Sequence, residues 1–316
     1  MLRWLAIGDR GQLCRPQQRG IARNYEQMTN GEIEAIVKHS GGSKLTQKAR
    51  RDDLKAAAKT FKTELNIQLK SFAGLKVQHI DSLVQSWKKQ GIGVRTMENR
   101  MSHIRAALRF HERAKFALDE RISNASLGLA GASRGGTHTV PAPAAIDARL
   151  MALRPPAQAV TKLQMAFGLR AREAIQADQS LKTWAKQLAS GRPISVLHGT
   201  KGGRPRDVQL HTPEARQRAA EAVQEALKVA RSHPNERIIP SKTIEAAFRS
   251  YQREMNKVGF KGSEASHSLR YHWAREQFSV HLERLGDRKE ALAALSMDLG
   301  HGDGRGRYCA QVYLKG

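Results

Sequence analysis

The chain has 316 residues, a length that leaves room for two domains, each large enough to bury a core. It carries 54 Lys and Arg residues against 29 Asp and Glu, and a formal net charge of +25 is typical of proteins that neutralise phosphates. The two cysteines, Cys14 and Cys309, are too few and too far apart to support a disulfide framework or a cysteine-based zinc site. No apolar run approaches the ~20 residues of a membrane span. These features predict a cytoplasmic protein that binds nucleic acid and has no membrane partner.

Three regions precede the second half of the chain. Residues 1–25 mix Gly, Pro, Arg and Gln without periodicity and predict a mobile basic arm. Residues 26–120 predict a bundle of four helices, because apolar residues recur at steps of three and four. Residues 121–143 are rich in Ser, Gly, Ala, Thr and Pro, which predicts a linker. Basic side chains crowd the polar faces of the bundle, and the candidates for contacts with DNA phosphates are Lys48, Arg51, Lys55 and Lys59, although a solvated basic face remains the alternative for each.

The region 144–316 predicts a second domain that is mainly helical. Helical periodicity covers most of it, and two short strands at about 194–198 and 207–210 flank a Gly-rich turn. The fold class predicted for the whole chain is therefore mainly α with a small antiparallel sheet (α+β).

Five short motifs follow one another in this second domain. They are Gly-Leu-Arg-Ala-Arg-Glu (168–173), Gly-Thr-Lys-Gly-Gly (199–203), His-Ser-Leu-Arg-Tyr (267–271), Leu-Gly-His-Gly (299–302) and Ala-Gln-Val-Tyr-Leu (310–314). In this order and context they resemble the tyrosine recombinase (phage integrase) family, and the likeness covers roughly residues 30–316. The resemblance implies a helical core-binding domain at 26–120 and a catalytic domain at 144–316 that clamp opposite sides of a DNA duplex.

Two arginines are predicted to bind the reacting phosphate. Without a metal ion, the charge that gathers on the non-bridging oxygens needs positive donors, and the guanidinium fork matches phosphate geometry. The family's two arginine boxes correspond to Arg170 and Arg270, each preceded by a leucine expected to pack beneath it. Arg172 is the local competitor of Arg170, but two positions further along a helix it would face elsewhere.

Three further groups complete the predicted chemistry. His267 lies three residues before Arg270, so both can address one phosphate, and its imidazole can accept the proton of a tyrosine or bond the phosphate. Lys201, in the turn between the strands, is the expected general acid for the leaving 5′ oxygen. His301 is expected to donate a hydrogen bond to the scissile phosphate. Arg204 and Arg206, beside Lys201, are expected to contact backbone phosphates.

The nucleophile is assigned between two tyrosines. In the family the tyrosine commonly follows the histidine of Leu-Gly-His by nine residues, but residue 310 here is Ala. Tyr313 is preferred because Ala-Gln-Val-Tyr-Leu resembles the family's nucleophile segment, and three extra residues fit into the loop at 302–307. Tyr308 remains the alternative.

The predicted function is site-specific DNA recombination through a 3′-phosphotyrosyl intermediate, without metal, ATP or another cofactor. The resemblance implies double-stranded recombination sites as partners, a tetramer on DNA, accessory proteins that bend DNA, and a nucleoid-associated integrase of a mobile element. A non-catalytic DNA-binding protein on a similar scaffold is the alternative from a different class. A metal-dependent nuclease would need clustered carboxylates, which these motifs lack.

Overall fold

The computed structural model describes residues 30–131, 133 and 135–315, and the chain separates after Ser133 into two compact units. The arm predicted at residues 1–25 lies outside the described residues. Within the described part of the chain, none of the helices is both long and apolar enough to cross a bilayer.

The first unit is built from helices, as the periodicity predicts. Helix α1 covers residues 30–40, followed by α2 (Lys44–Thr63), α3 (Val77–Lys89), α4 (Val94–Phe110) and the single turn α5 (Ala114–Ala117). Two 3-10 turns, Phe72–Gly74 and Glu120–Ile122, connect and close the bundle. Helix α2 packs on α3 and α4 around a core that includes Leu54, Phe61 and Trp87. Leu127 and Leu129, in the stretch that composition predicts as linker, are buried in this same core.

The second unit contains nine α-helices in the part of the chain that the structure describes. The first four are α6 (Pro143–Met151), α7 (Pro155–Phe167), α8 (Ala171–Ile175) and α9 (Leu181–Ala189). The remaining five are α10 (Pro213–Arg231), α11 (Ile244–Lys257), α12 (Ser268–Leu285), α13 (Arg288–Asp298) and α14 (Gly306–Tyr313). Short 3-10 turns cover Gln176–Gln179, Lys201–Gly203 and Gly262–Glu264.

The small sheet of this unit has two strands, β1 (Ile194–Val196) and β2 (Arg206–Val208). They pair antiparallel, with Ile194 opposite Val208 and Val196 opposite Arg206. Both strands turn alternate residues into the core, as expected for a half-buried ribbon. The predicted fold class, mainly α with a small antiparallel sheet, is confirmed.

Polar caps and glycines set the ends of several helices of this unit. Thr212 accepts a hydrogen bond from Ala215 N–H at the start of α10, and Asp287 accepts one from Glu290 N–H at the start of α13. Helix α7 is capped by Gly168, whose φ of 60° is in the left-handed region. A Cβ atom at Gly168 would lie 2.3 Å from the indole of Trp273. Only glycine therefore fits where the chain turns from α7 towards Arg170.

Each motif lies at the end of a secondary-structure element. Arg170 immediately precedes α8, His267 immediately precedes α12, and Lys201 lies on the turn between β1 and β2. His301 follows α13, and Tyr313 is the last residue of α14. Side chains far apart in sequence can therefore converge without a long loop between them.

Candidate active site

Tyr313 lies at the centre of the motif residues. Its side chain is buried, and its hydroxyl is 3.0 Å from His301 Nε2 and 3.4 Å from Arg270 Nε. Tyr308 is five residues earlier on the same helix, which places it about 140° around the helix axis. The Tyr308 side chain is 38% exposed, and its ring packs edge-on against His301 with 4.9 Å between centroids. Helix α14 thus turns Tyr313 inward and leaves Tyr308 at the rim.

Arg270 is fully buried beneath the tyrosine. Its Nη1 donates to the carbonyl of Gly168, its Nη2 donates to the carbonyl of Leu299, and its Nε faces Tyr313. A guanidinium has five N–H donors, so two remain for a phosphate. Burial lowers the pKa of Arg270 to about 10, which still leaves it charged at neutral pH. Because Arg270 is fully buried, a phosphate reaches these donors only if surrounding side chains move, and the Tyr313 ring centroid lies 5.8 Å from the guanidinium carbon.

Arg170 is oriented by a buried carboxylate. Glu173 accepts from the backbone N–H of Arg170 at 2.8 Å and from its Nη1 at 2.7 Å. Burial raises the pKa of Glu173, but hydrogen bonds from Arg206 and the charges of Arg206, Arg270 and Arg170 outweigh it and bring the pKa to about 2. Glu173 therefore stays ionised and holds Arg170 in place.

Arg206 differs from the expectation that it contacts a DNA phosphate. Its side chain is buried, and Nη1 and Nη2 each lie 2.8 Å from an oxygen of Glu173. Its Nε donates to the carbonyl of Asp298, also at 2.8 Å. The guanidinium of Arg206 is therefore turned inward and engaged by protein oxygens, whereas the sequence predicts that it contacts a DNA phosphate.

The two motif histidines are both held uncharged. Burial first, and then the charge of Arg270, lower the pKa of His267 and of His301 to about 3. The His301 imidazole contacts the Tyr313 hydroxyl through Nε2, at 3.0 Å. The His267 imidazole lies beside the Tyr313 ring, with 6.3 Å between the ring centroids. In this arrangement His301 is the nearer candidate to accept the tyrosine proton, which is one of the two roles that the sequence predicts for His267.

The segment 135–139 also lines the site, although composition predicts a linker there. His138 Nδ1 lies 2.9 Å from the carbonyl of Ser263, and its ring contacts His267 edge-on at 5.2 Å. The N–H of Gly136 donates to the carbonyl of Gln311 in α14 at 3.2 Å. The sequence gives one signal for this segment, the histidine at position 138. Its neighbours are small residues typical of a linker, so the sequence does not place this histidine in the site.

The remaining motif residue and its neighbour are exposed. Lys201 and Arg204 lie on the turn between β1 and β2, and the charge of Lys201 contributes to lowering the pKa of His301 after burial and the arginines Arg270 and Arg170. Lys201 thus lies within electrostatic reach of the site. Among the described residues, His, Cys, Asp and Glu form no group of three that could hold a metal ion.

The four basic candidates of α2 fall into two groups. Lys55 and Lys59 are exposed, whereas Lys48 pairs with Asp52 at 2.5 Å and Arg51 makes two bonds to Glu34, at 2.5 and 2.7 Å. A phosphate would compete with these carboxylates for Lys48 and Arg51. Lys55 and Lys59 are the stronger candidates for phosphate contact.

Family models match both units of this chain. A model described as phage integrase, N-terminal, matches residues 27–117, and a model described as integrase matches residues 128–276. The chain belongs to the phage integrase (tyrosine recombinase) family. The matched part of the second unit contains Arg170, Lys201, His267 and Arg270, whereas His301 and Tyr313 follow it. As a member of this family, the chain is a DNA-binding protein that takes part in DNA recombination.

Two solved integrases share the fold over most of this chain. The Tn1549 transposon integrase, solved in complex with transposon right end DNA, has a TM-score of 0.56 and 13% identity, and the match covers 92% of this chain and 95% of that one. A lambda integrase tetramer bound to a Holliday junction has a TM-score of 0.54 and 15% identity, with 93% and 83% covered. No curated protein sequence shows significant similarity to this integrase.

Proposed function

We propose that this integrase cuts and rejoins specific DNA sites through a covalent bond between Tyr313 and a 3′ phosphate. The observation that carries the proposal is the position of the Tyr313 hydroxyl, within 3.0 Å of His301 Nε2 and 3.4 Å of Arg270 Nε. A phenol is an adequate nucleophile once its proton is accepted, and an adequate leaving group in the reverse step. The rival, a DNA-binding protein without catalysis, gives no reason for a buried tyrosine between an imidazole and a guanidinium.

The reaction has two transesterification steps. The Tyr313 oxygen attacks phosphorus, its proton passes to His301, and the bond from phosphorus to the 5′ oxygen breaks. Lys201 supplies the proton to that oxygen, while Arg170 and Arg270 stabilise the charge on the non-bridging oxygens. The 5′ hydroxyl of a second strand then attacks the phosphotyrosine and releases Tyr313. The phosphoester energy is conserved, so the exchange needs neither ATP nor another cofactor.

The solved relatives extend this proposal to partners. One is a transposon integrase bound to transposon end DNA, and the other is a tetramer on a Holliday junction. We propose that this chain likewise acts for a mobile element on double-stranded recombination sites in the cytoplasm, associated with the nucleoid. It would assemble as a tetramer on DNA, with DNA-bending accessory proteins. Exposed lysines of α2, Lys55 and Lys59, and Arg204 of the catalytic unit would contact backbone phosphates.

Covalent trapping tests the proposal. The protein is incubated with fragmented DNA of the replicon that encodes it and denatured without crosslinker, and the DNA retained on the protein is sequenced. Wild type and Tyr308→Phe should retain DNA joined through a 3′ phosphate, and Tyr313→Phe should retain none. Retention by Tyr313→Phe but not by Tyr308→Phe would assign the nucleophile to Tyr308. A wild-type protein that binds these fragments and never forms an adduct would favour the non-catalytic alternative.

A further inference from the structure

Arg206 connects three parts of the catalytic unit that carry different motif residues. It belongs to β2, the strand that returns from the turn of Lys201, and its register partner is Val196 on β1. Its guanidinium binds both oxygens of Glu173, and its Nε binds the carbonyl of Asp298. A single side chain therefore touches β2, α8 and the end of α13.

Each partner of Arg206 leads directly to a motif residue. The carboxylate of Glu173 that Arg206 grips is the same one that accepts from Arg170 N–H and Nη1. Asp298 ends α13 three residues before His301, and the backbone of Gly300 lies so close to Arg206 that a Cβ atom there would meet Arg206 Cδ at 2.8 Å. The turn that presents His301 therefore rests on the Arg206 side chain.

The chemistry of this contact suits orientation better than stability. Removing two charges from water is costly, so a buried ion pair is a poor source of net stability. The ion pair instead fixes an orientation, because two parallel hydrogen bonds from the planar guanidinium hold both oxygens of the carboxylate. The side-chain exposure of the pair is 5% for Arg206 and 0% for Glu173, which leaves water little access to exchange with it.

We propose that Arg206 is a positioning residue that holds Arg170, His301 and the turn of Lys201 in register with one another and does not contact DNA. It acts on Arg170 through Glu173 and on His301 through the Asp298 carbonyl and Gly300. The inference rests on the proposed recombinase function. It also reassigns a basic residue that sequence context alone places among the phosphate contacts.

The test separates DNA binding from the covalent step. Arg206→Lys keeps the charge but loses the fork, and Arg206→Met keeps much of the volume without the charge. For each variant, the affinity for the trapped DNA site is measured over a range of salt concentrations, and the rate of phosphotyrosine formation is measured with protein in excess. Arg204→Gln serves as the comparison for a phosphate contact, and Lys162→Met removes an ion pair to Glu225 between α7 and α10.

Both Arg206 variants should bind DNA with the wild-type salt dependence and form the adduct about 100-fold more slowly, the order of loss that small misplacements of catalytic groups produce. Arg204→Gln should instead weaken binding and flatten the salt dependence by about 0.9, because one phosphate is no longer neutralised. Lys162→Met should keep the wild-type rate. A flattened salt dependence in the Arg206 variants would assign that residue to DNA contact, and an unchanged adduct rate would also overturn the inference.

A double variant distinguishes positioning from support of the fold. Glu173→Gln combined with Arg206→Met removes both charges, so the melting temperature should recover towards wild type relative to Arg206→Met alone. The adduct rate should stay low, because Arg170 remains without its carboxylate. If the double variant recovered both the rate of adduct formation and the melting temperature, Arg206 would support the fold only, and the inference would be wrong. Wild-type protein that binds DNA without forming an adduct would instead refute the proposed function itself.

Discussion

Three lysines of helix α2 in the first unit and two arginines at the centre of the second unit lie in opposite surroundings. On α2, Lys48 and its partner Asp52 keep 67% and 55% of their side chains exposed, and Lys55 and Lys59 are also exposed. In the second unit, Arg270 is fully buried and Arg206 nearly so. Exposed charges are screened by salt and exchange partners readily, whereas buried ones keep fixed directions.

The difference indicates which basic residues can contribute to DNA affinity and which can take part in catalysis. A lysine on an open helix can release counterions from DNA at many positions along a duplex. A buried guanidinium such as that of Arg270, bonded to the carbonyls of Gly168 and Leu299, can act at one place only. Net charge therefore contributes to affinity for DNA, whereas a cation with a fixed direction, such as Arg270, is proposed to act on the reacting phosphate.

The substitution Arg270→Lys should produce the largest effect. A lysine cannot bond both carbonyls and also face the tyrosine and a phosphate, because it lacks the planar fork. We expect adduct formation to fall by a factor on the order of 100 to 1000, as when one preorganised donor is lost. DNA affinity should change little. Single-turnover trapping and a binding titration measure the two quantities, and a loss confined to binding would contradict the assignment of Arg270 to the reacting phosphate.

The substitution Gly168→Ala should destabilise the second unit by at least about 2 kcal/mol, combining a positive φ with overpacking. The added methyl would meet the Trp273 indole, and the carbonyl of Gly168 is a ligand of Arg270. The matched control is Gly286→Ala, where φ is +67° but nothing lies within 4 Å of the added atom. Urea unfolding of both variants should show the smaller loss for Gly286→Ala, and equal losses would argue against the Trp273 contact.

Acid should weaken the second unit through its two buried histidines. The folded-state pKa of His267 and of His301 is about 3, below the ordinary value of 6.5. The unfolded chain therefore binds more protons between these values, so the stability is complete above pH 6.5 and is lost as the pH falls towards 3. For His267 the loss is at most about 1.4 kcal/mol per pH unit.

Thermal unfolding measured from about pH 8 to about pH 5 checks this direction. The variant His267→Gln should lose less stability than wild type over that range, because the glutamine does not titrate. The matched control is His39→Gln, which replaces an exposed histidine of the first unit and leaves both buried histidines of the second unit in place. A steeper acid loss in His267→Gln than in wild type would reverse the expected sign.

The smallest effect is expected on α2. Replacing Lys55 and Lys59 by Gln should leave folding unchanged and flatten the logarithmic salt dependence of DNA binding by about 0.9 for each phosphate that is no longer neutralised. Lys228→Gln, on the exposed face of α10, is the control for removing a surface charge elsewhere. An unchanged slope in the α2 variant would identify its basic face as merely solvated.

Element prediction succeeds where a pattern is local. The caps and apolar spacing of α10 predict a helix at 213–232, and the structure ends it at Arg231. The strands predicted at 194–198 and 207–210 are observed at Ile194–Val196 and Arg206–Val208. The one-residue shift at the start of β2 brings Arg206 into the sheet, where alternation turns it inward. The sequence thus places Arg206 on the turn beside Lys201, whereas the structure places it in the strand.

The sequence by itself determined the family, the fold class and the identity of the motif residues, because short motifs, helical spacing and net charge are local or summed properties. The tertiary structure decided which groups meet: His301 at the Tyr313 hydroxyl, Arg206 on Glu173, and the segment 135–139 beside His267. Tyr308 and Tyr313 share one short helix, and only the packing of α14 on the second unit selects the face that turns inward. The reason is physical, since the burial of these groups depends on contacts such as those of Arg206 and Arg270, which join residues 33 to 102 positions apart in the sequence.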